Sequence, residues 1–420
     1  MRILLTSAGS RGDIQPMVAL AQALRAAGDE VRVAAAPNYR PLVEGAGFDF
    51  LPMGRDVQAW LTEQNAKAGR NPLKGTRALA ELLQQETREQ FALLEPLMGQ
   101  LDCVVSAGGI MATTSLAEAA GLPALFVAFT PQLMRSGEHP PILFPWQGLP
   151  RALNHVLWGA TRLAYDKMML AEVNQHRRRL GLAPARDFLS QLVPRDVLLT
   201  TDPVLAPAPT DTSHRITQSG FLTMEDPTPL PEALERFLDA GEPPLYIGFG
   251  SMPDPNPEAT TRMLLEVVAQ VGCRLVLSRG WAGLGAGELP EGCIAVGSVP
   301  HEKLLPRVKA VVHHGGAGTV GAAARAGLPQ LLVPHIADQF FWSHRVARAG
   351  LGPDAIPRPK LTRERLLPAL RALLSEASFA RRAQELAGQL RSRTPSRTAV
   401  DWVHQARFEG TRPTASSSAA

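Results

Sequence analysis

The chain has 420 residues, which is enough for two or three domains with large hydrophobic cores at about 150 residues per domain. Hydrophobic residues make up 45% and charged residues 20%, a composition typical of globular proteins that excludes a disordered chain. There are 43 basic and 39 acidic residues, so the net charge is only +4. Nucleic-acid binding needs clustered positive charge, and so small an excess argues against it.

The spacing of the cysteines and the hydropathy of the chain narrow the class of protein further. Cys103, Cys273 and Cys293 lie far apart without metal-ligand spacing, so neither a disulfide nor a zinc site is expected. The N-terminus reaches glycines and charges before an apolar stretch of signal-peptide length has accumulated, which favours a cytoplasmic location. The most apolar segment, 103–134, is interrupted by Glu118 and by prolines, so no membrane span is predicted. Peripheral association with a membrane surface stays open.

The first half of the chain alternates short strands with helices. A β-rich run at 2–7 is followed by a glycine loop and a helix, whose apolar positions from Met17 to Leu24 repeat at helical spacing. Another strand starts at Val31, and the same alternation returns between residues 103 and 129. Such alternation is typical of a parallel sheet covered by helices.

A second α/β unit follows a proline-rich connector. Six prolines between residues 203 and 231 indicate an extended linker. Beyond the linker, strands are predicted at 245–249, 274–278, 294–296, 310–313 and 330–333. Helices are predicted at 259–271, 319–326, 339–349, 362–376 and 379–392, and Pro368 is expected to kink or split the fourth.

These patterns divide the chain into segments. They are a first α/β domain at 1–210, a linker at 211–231, a second α/β domain at 232–392, a helix at 393–409 that packs back toward the first domain, and a disordered tail at 410–420. Ligands of doubly wound sheets bind outside the carboxyl ends of the strands. Two such domains facing one another therefore predict a cleft with one substrate on each wall.

A histidine and glycine segment at 312–319 is a candidate phosphate site. The predicted strand carries His313 and His314 to its carboxyl end, where a helix is expected to open near Thr319. Glycines let a ligand approach the backbone, and the N-terminus of a helix attracts anions. An imidazole there can donate to a phosphate oxygen, so the site needs no Walker lysine. A plain turn with two structural histidines is an equally good interpretation of this spacing alone.

The next strand-to-helix junction carries Asp338 and Gln339 side by side. A carboxylate accepts hydrogen bonds and a carboxamide both accepts and donates, which suits neighbouring sugar hydroxyls. An N-cap role for Asp338 is the more common alternative, and the base rate favours it.

Three motifs in the expected order carry a family resemblance. The segment from Val299 to Pro353 resembles the donor-binding signature of family 1 nucleotide-sugar glycosyltransferases, in which His-Gly-Gly-Ala-Gly-Thr and a later Asp-Gln recur. Gly-Ser-Arg-Gly-Asp-Ile-Gln-Pro at 9–16 and Gly-Phe-Gly-Ser-Met at 248–252 are also similar to this family. The closest likeness is to sterol glucosyltransferases and bacterial antibiotic glycosyltransferases, and it covers nearly the whole chain.

The resemblance implies the GT-B fold, an α/β architecture of two Rossmann-like parallel-sheet domains that face a central cleft, with C-terminal helices. It implies that the first domain binds the acceptor and the second the nucleotide sugar. The expected reaction is inverting transfer of a hexose, glucose in the first instance, from a UDP- or TDP-sugar to a hydroxyl of a hydrophobic acceptor. The nucleotide sugar is a co-substrate, and no cofactor is expected.

The resemblance also implies roles for individual residues. Asp13 would be the general base that deprotonates the acceptor hydroxyl, although its place before a helix is also typical of an N-cap. On the donor wall the resemblance assigns phosphate, base and sugar contacts to Ser251, Trp281, Val299, His314, Gly315, Gly316, Gly318, Thr319, Asp338 and Gln339.

The sequence contains no Asp-x-Asp pair to hold a divalent metal on a sugar diphosphate, so no metal site is expected. Stabilisation of the leaving group then falls to the helix N-terminus and His314.

The acceptor wall is predicted from apolar side chains of the first domain. The candidates are Phe129, Met134, Phe144 and Trp146, with Trp60 and Trp158 as further members of the same apolar group. Such residues suit a sterol, polyketide or flavonoid, and many of them are equally typical of the core.

Other functions on a similar fold are a nucleotide-sugar epimerase and a catalytically silent binding partner. An oxidoreductase is disfavoured, because Gly9 and Gly12 do not form the dinucleotide-binding motif.

Overall fold

The computed structural model describes residues 1–56 and 72–407, with the side chains of 72–78 left undescribed. Trp60 and the tail at 410–420 therefore lie outside the described residues, and the expectations for them stay predictions.

The first domain is built on a parallel sheet of seven strands. Its strands are β1 Arg2–Ala8, β2 Glu30–Ala35, β3 Asp49–Pro52, β4 Cys103–Gly108, β5 Ala124–Ala128, β6 Asp196–Leu199 and β7 Arg215–Gln218. Their order in the sheet is β3-β2-β1-β4-β5-β6-β7, and every neighbouring pair is parallel. The central strands read as continuous apolar runs because helices cover both faces of the sheet.

The helices of this domain cover the sheet and form its outer layers. Their bounds are α1 Arg11–Ala26, α2 Arg40–Gly45, α3 Pro72–Leu94, α4 Thr113–Ala120, α5 Arg151–Tyr165, α6 Ala171–Arg179 and α7 Leu189–Leu192. One π-helical turn, Asp166–Leu170, joins α5 to α6. Helix α1 buries its apolar face, including Met17, Leu20 and Leu24, as the helical spacing predicted.

The second domain contains a smaller parallel sheet. Its strands are β8 Leu245–Gly248, β9 Leu275–Ser278, β10 Cys293–Val296, β11 Ala310–His313 and β12 Gln330–Leu332, in the order β10-β9-β8-β11-β12. Its helices are α8 Glu232–Asp239, α9 Pro257–Val271, α10 His301–Leu304, α11 Ala317–Ala326, α12 Gln339–Arg348, α13 Arg363–Ser375 and α14 Ala377–Arg391. The two-domain parallel α/β architecture predicted from the sequence is confirmed.

Two local predictions need correction. Helix α11 begins at Ala317 instead of Thr319, because Gly316 already occupies the position before the first turn. Helix α13 is continuous through Pro368, so the expected split does not occur, and the kink stays a prediction. Pro368 lacks the N–H that would reach the carbonyl of Glu364 in the first turn, and its ring crowds that carbonyl, but the helix continues on both sides.

The predicted boundary between the domain and the linker is also wrong. Strand β7 lies inside the segment 211–231 that the prolines marked as linker, and it pairs with β6 from Asp196 opposite Arg215 to Leu199 opposite Gln218. The first domain therefore extends to Gln218, and the connecting segment starts after it.

The last helix of the described chain returns to the first domain. Helix α15, Pro395–Gln405, packs on α1, and its Ala399, Trp402 and Val403 belong to the same hydrophobic cluster as the central strands. His404 Nε2 lies 2.7 Å from an oxygen of Asp29, which also accepts from the N-terminal amino group. The chain thus crosses between the two domains a second time.

Direct contacts join the two domains along α1. Helices α1 and α11 are in contact, and Ala317 at the start of α11 packs against the core cluster of the first domain. Gln22 on α1 bonds both the N–H and the carbonyl of Glu225 in the connecting segment. The N-termini of α1 and α11 therefore lie at the same cleft.

Within residues 1–56 and 72–407, no helix is both long enough and apolar enough to cross a bilayer.

The packing of α15 yields a stability prediction. Trp402 is 8% exposed and fills space against α1, so Trp402→Ala should lower the free energy of unfolding by about 3–5 kcal/mol. Chemical denaturation of the full chain measures the change. Gln405→Ala, at an exposed position of the same helix, is the control and should change stability by less than about 0.5 kcal/mol. Equal stability of the two variants would contradict the packing role of α15.

Candidate active site

The predicted donor-binding residues lie on loops and on the first turns of helices at one edge of the second sheet. Because carboxyl ends of parallel strands meet at the same edge, residues far apart in sequence come together there. Ser251 follows β8, Trp281 follows β9, Val299 follows β10, the glycine segment follows β11, and Asp338 and Gln339 follow β12. This edge faces the N-terminus of α1 across the cleft.

His313 organises the turn at the start of α11. Its side chain is fully buried, and its Nδ1 accepts a hydrogen bond from the N–H of Gly315 at 3.2 Å. The other ring nitrogen, Nε2, therefore carries the proton and donates to Gln330 Oε1 at 2.9 Å. The sequence left open whether His313 and His314 are structural or bind phosphate. His313 has the structural role, because its hydrogen bonds fix the turn on which His314 lies.

His314 is enclosed by two glycine backbones. A Cβ atom on Gly250 would lie 2.8 Å from its Cε1, and one on Gly316 would lie 2.6 Å from its Nε2. Burial, reinforced by His313, His335 and His301, holds the pKa of His314 well below its usual value, so the imidazole is neutral near pH 7. Its Nδ1 has no hydrogen-bond partner among the described residues. A neutral ring can still donate one N–H to a phosphate oxygen.

The loops that follow β8 and β9 are joined through their backbones. Trp281 N–H donates to the carbonyl of Gly250 at 2.9 Å. Gly280 has φ +47°, and a Cβ there would lie 2.5 Å from the same carbonyl oxygen. This close approach sets Trp281 beside the loop of Ser251, and both residues are partly exposed. Val299 is half-buried, packing against the hydrophobic cluster under β10.

The first loop of the acceptor domain holds the carboxylate of Asp13 in place. Helix α1 is capped by Ser10, and Asp13 is the third residue of the helix. Its Oδ2 accepts from Ser10 N–H at 2.7 Å and lies 3.1 Å from Ser10 Oγ, which completes a capping box. The N-cap interpretation of Asp13 is therefore corrected: Ser10 is the cap, and the Ser-x-x-Asp spacing was the signal for it.

Glycine is required next to this carboxylate. A Cβ atom on Gly9, which has φ +150°, would lie 2.3 Å from Asp13 Oδ2. The carboxylate is consequently crowded against the backbone at the cleft. Burial raises the pKa of Asp13, and the hydrogen bonds from Ser10 oppose that shift. A raised pKa makes the carboxylate a stronger base toward an acceptor hydroxyl.

Asp338 lies on the opposite wall and responds to the charge of Asp13. Burial raises its pKa to about 7, and the negative charge of Asp13 adds to that effect. Its Oδ2 accepts from Trp342 Nε1 at 3.1 Å. Although Asp338 occupies the N-cap position of α12, its side chain makes no capping hydrogen bond. The capping role favoured by the base rate is therefore wrong for the side chain of Asp338.

Gln339 holds the shape of the loop that precedes it. It is 4% exposed, and its Oε1 accepts from the N–H groups of His335 at 2.7 Å and Ile336 at 3.1 Å. Its Nε2 lies 3.3 Å from Met252 Sδ. Contact with a sugar, the predicted role, would therefore use the Nε2 group.

Within the described chain, Ala337 is the only residue other than glycine with positive φ, at +52°. The loop is thus tightly constrained immediately before Asp338.

The four predicted acceptor residues separate into two pairs. Met134 is fully buried in the core, and Phe129 is 8% exposed in the core cluster of the first domain. Met134 and Phe129 are therefore packing residues in this structure, and their acceptor role stays a prediction. Phe144 is half-buried and Trp146 is 58% exposed, with ring centroids 5.8 Å apart.

The loop of the two accessible rings reaches the other domain. A Cβ on Gly148 would lie 3.7 Å from Cε1 of His344 on α12. Trp158, also considered for the acceptor wall, is buried and donates from Nε1 to the carbonyl of His139. Among the described members of the apolar group, Phe144 and Trp146 are thus the accessible ones, on a loop that approaches α12.

No group of three or more His, Cys, Asp or Glu side chains in the described part of the chain is arranged to hold a metal ion.

Comparison with known proteins agrees with this arrangement. Residues 3–136 match the glycosyltransferase family 28 N-terminal domain, and residues 262–403 match the C-terminal domain of erythromycin biosynthesis protein CIII-like proteins. The fold and the cleft thus define a glycosyltransferase of the two-domain type.

Similarity over nearly the full length shows the family. The chain is 36% identical to the vancomycin aglycone glucosyltransferase of Amycolatopsis orientalis, covering 93% of this chain and 94% of that protein. It is 31% identical to the sterol 3-beta-glucosyltransferase UGT80B1 of Arabidopsis thaliana, covering 96% of this chain and 68% of that protein. The chain belongs to the family of antibiotic and sterol glycosyltransferases.

Solved structures share the fold. The glycosyltransferase VinC in complex with dTDP superposes with a TM-score of 0.68 at 23% identity, covering 96% of this chain and 99% of VinC. The calicheamicin glycosyltransferase CalG4 gives a TM-score of 0.71 at 19% identity, covering 96% and 98%. The GT-B architecture expected from the sequence is confirmed.

The raised pKa of Asp338 predicts a pH-dependent stability. Because its folded value, about 7, exceeds its ordinary value of 3.8, the folded state holds the proton more tightly than the unfolded state. Its contribution is fully present below pH 3.8 and is lost as the pH rises through about 7. Denaturation across this range should show a smaller fall in the free energy of unfolding for Asp338→Asn than for the parent.

The raised pKa of Asp13 acts in the same direction, so part of the pH dependence should remain in Asp338→Asn. Asp354→Asn, at an exposed position, is the matched control and should keep the parent profile. Identical pH profiles for Asp338→Asn and the parent would show that Asp338 is not held in an environment that disfavours its charge.

Proposed function

We propose that the chain is an inverting, metal-independent hexosyltransferase. It transfers a hexose, glucose in the first instance, from a UDP- or TDP-sugar to a hydroxyl group of a hydrophobic small molecule. The observation that carries the proposal is the position of Asp13, which lies in the first turn of α1, a helix in contact with α11 of the donor domain.

The proposed step uses Asp13 as the base. Asp13 takes the proton of the acceptor hydroxyl while the acceptor oxygen forms a bond to the anomeric carbon. The bond from that carbon to the phosphate oxygen breaks, and its electron pair leaves with the nucleoside diphosphate. Attack from the face opposite the leaving group inverts the anomeric configuration. The raised pKa of Asp13 supports this role, because a general base works best when its pKa lies near the pH of the reaction.

The donor is proposed to bind along the edge of the second sheet. The backbone N–H groups of Gly316, Gly318 and Thr319 lie at the N-terminus of α11, which favours the diphosphate, and His314 adds a neutral donor. Gly315 lets the chain turn there, at φ +96°. Binding of dTDP by VinC, a protein of the same fold, supports a nucleoside diphosphate as the product.

Sugar and base contacts complete the donor site. We assign the hexose hydroxyls to the carboxylate of Asp338 and to the Nε2 group of Gln339. Ser251 is assigned to the phosphates, and Trp281 with Val299 to the nucleotide base. The glucosyltransferase names of two relatives support glucose as the first sugar to test.

The acceptor is proposed to bind at Phe144 and Trp146. Aromatic rings at the mouth of a cleft suit a flat apolar aglycone, whose hydroxyl would then point toward Asp13. The names of the relatives, which include an antibiotic aglycone and sterols, support this class of molecule.

A donor and acceptor screen by mass spectrometry tests the proposal. The chain is incubated with UDP-glucose or TDP-glucose and with sterols, polyketides, flavonoids or no acceptor. A glycosylated product with loss of the donor supports transfer. Conversion of the donor to an isomeric sugar without any alcohol would support an epimerase instead. Donor binding without any reaction would support a silent binding partner.

Substitution of Asp13 separates its chemical role from its structural role. Asp13→Asn keeps an oxygen for the bonds from Ser10, so stability should change by less than about 1 kcal/mol, but turnover should fall by about 100-fold or more. Steady-state kinetics and chemical denaturation give the two quantities. Asp166→Asn is the matched control, because Asp166 also accepts from a backbone N–H, that of Phe188, outside the cleft. Near-parent turnover of Asp13→Asn would require another base.

Removal of metal gives an independent test. Leaving-group stabilisation is assigned to α11, His314 and backbone N–H groups, so turnover in EDTA should stay within about twofold of the untreated rate. The assay compares EDTA, EDTA with excess Mg²⁺ or Mn²⁺, and buffer alone. Loss of most activity in EDTA with recovery on adding either metal would contradict the metal-independent step.

A further inference from the structure

Arg11 reaches from the acceptor domain to the donor domain. It is the first residue of α1, and its Nη1 donates to Ser298 Oγ at 2.5 Å. Ser298 lies in the loop between β10 and α10, next to Val299, which is assigned to the nucleotide. The bond therefore joins the loop that carries Asp13 to the loop on the nucleotide side of the cleft.

The positive charge of Arg11 has no carboxylate partner among the described residues. Its observed hydrogen-bond acceptor, Ser298 Oγ, is neutral. The nearest acid in sequence, Asp13, directs Oδ2 to Ser10 instead. A guanidinium carries five N–H donors in a planar arrangement that matches phosphate oxygens, and Ser298 uses one of them. The side chain is partly exposed at the cleft, so the remaining donors are accessible to a ligand.

Other positive groups converge on the same place. The N-termini of α1 and α11 lie at one cleft, because the two helices are in contact and Ala317 packs on the first domain. Each helix N-terminus carries a partial positive charge. His301, at the start of α10, is close enough to Arg11 that the guanidinium adds to the effect of burial in lowering its pKa to about 4. An anion between the guanidinium and the two helix N-termini would compensate their positive charge.

We propose that Arg11 is a diphosphate-binding residue that the acceptor domain supplies across the cleft to the nucleotide sugar. The guanidinium donates to phosphate oxygens of the bound donor and stabilises the charge that the nucleoside diphosphate gains when it leaves. Binding of the donor thereby ties the loop of Asp13 to the donor wall. This inference rests on the proposed function, and it adds a charged group from the acceptor domain to the site.

Calorimetry with UDP and with dTDP tests the inference on the full chain. Arg11→Ala should weaken binding of the preferred nucleotide by about 10-fold or more, the size expected for loss of a charge-assisted hydrogen bond. Arg11→Lys keeps the charge without the planar pair of donors and should recover part of the loss. Arg25→Ala, at the far end of α1, is the matched control, because Arg25 bonds the carbonyl of Gly47 away from the cleft.

Ser298→Ala distinguishes phosphate binding from a simple contact between domains. If Arg11 acts only by holding Ser298, the two alanine variants should lose nucleotide affinity equally, and that result would overturn the inference. If Arg11 binds phosphate, Ser298→Ala should change the affinity by less than about threefold, because the guanidinium is still present. Parent affinity in Arg11→Ala would also overturn the inference. Chemical denaturation confirms that each variant is folded.

Kinetics add a readout that separates this inference from the proposed function. With a working donor and acceptor, Arg11→Ala should raise the KM for the donor and lower kcat, since the charge is needed most as the diphosphate leaves. If the parent transfers no sugar from any donor but still binds UDP or dTDP, the proposed function fails while the calorimetric comparison of Arg11 remains decisive.

Discussion

Two carboxylates from opposite domains share one cleft, and the placement of the other functional groups depends on how they are held. Asp13 is fixed by Ser10 in the first turn of α1, and Asp338 is fixed by Trp342 in the first turn of α12. Burial raises the pKa of both, and the charge of Asp13 contributes to that of Asp338. Like charges of this kind are tolerated when one keeps its proton or when cations lie nearby. The hydrogen bonds from Ser10 oppose the effect of burial at Asp13, and the bond from Trp342 opposes it at Asp338.

Glycines allow the backbone to lie close to the side chains of Asp13 and His314. Gly9 leaves room for the carboxylate of Asp13, and Gly250 and Gly316 enclose the ring of His314. Any larger residue at these positions would collide with a functional side chain before it met a ligand. The absence of side chains at these glycines thus allows the backbone to lie close to Asp13 and His314. Dehydration of the imidazole keeps it neutral, so it contributes a directed N–H and no net charge.

The sequence predicted what depends on local pattern and missed what depends on tertiary contacts. The ends of the strands and the loops after them could be predicted from apolar runs bounded by glycines. The donor-side residues were therefore predicted to lie at the carboxyl edge of the second sheet. Strand β7 was missed because Arg215–Gln218 is short, only half-buried and placed among prolines. The burial of Met134 and the exposure of Trp146 could not be separated, since both are apolar residues in loops. The bond from Arg11 spans 287 residues and has no local signature.

The division of roles between Asp338 and Gln339 follows from the loop before them. Ala337 adopts φ +52°, a conformation that costs about 1–2 kcal/mol for a residue with a side chain. Gln339 offsets this cost by accepting two backbone hydrogen bonds, from His335 and Ile336, inside the protein. Its carboxamide thereby fixes the turn that aims Asp338 at the cleft. Gln339 therefore shapes the loop through its oxygen, while its Nε2 group donates to Met252 Sδ. Since the oxygen already accepts two backbone hydrogen bonds, the sugar contact proposed for Gln339 has to use the second N–H of its Nε2 group.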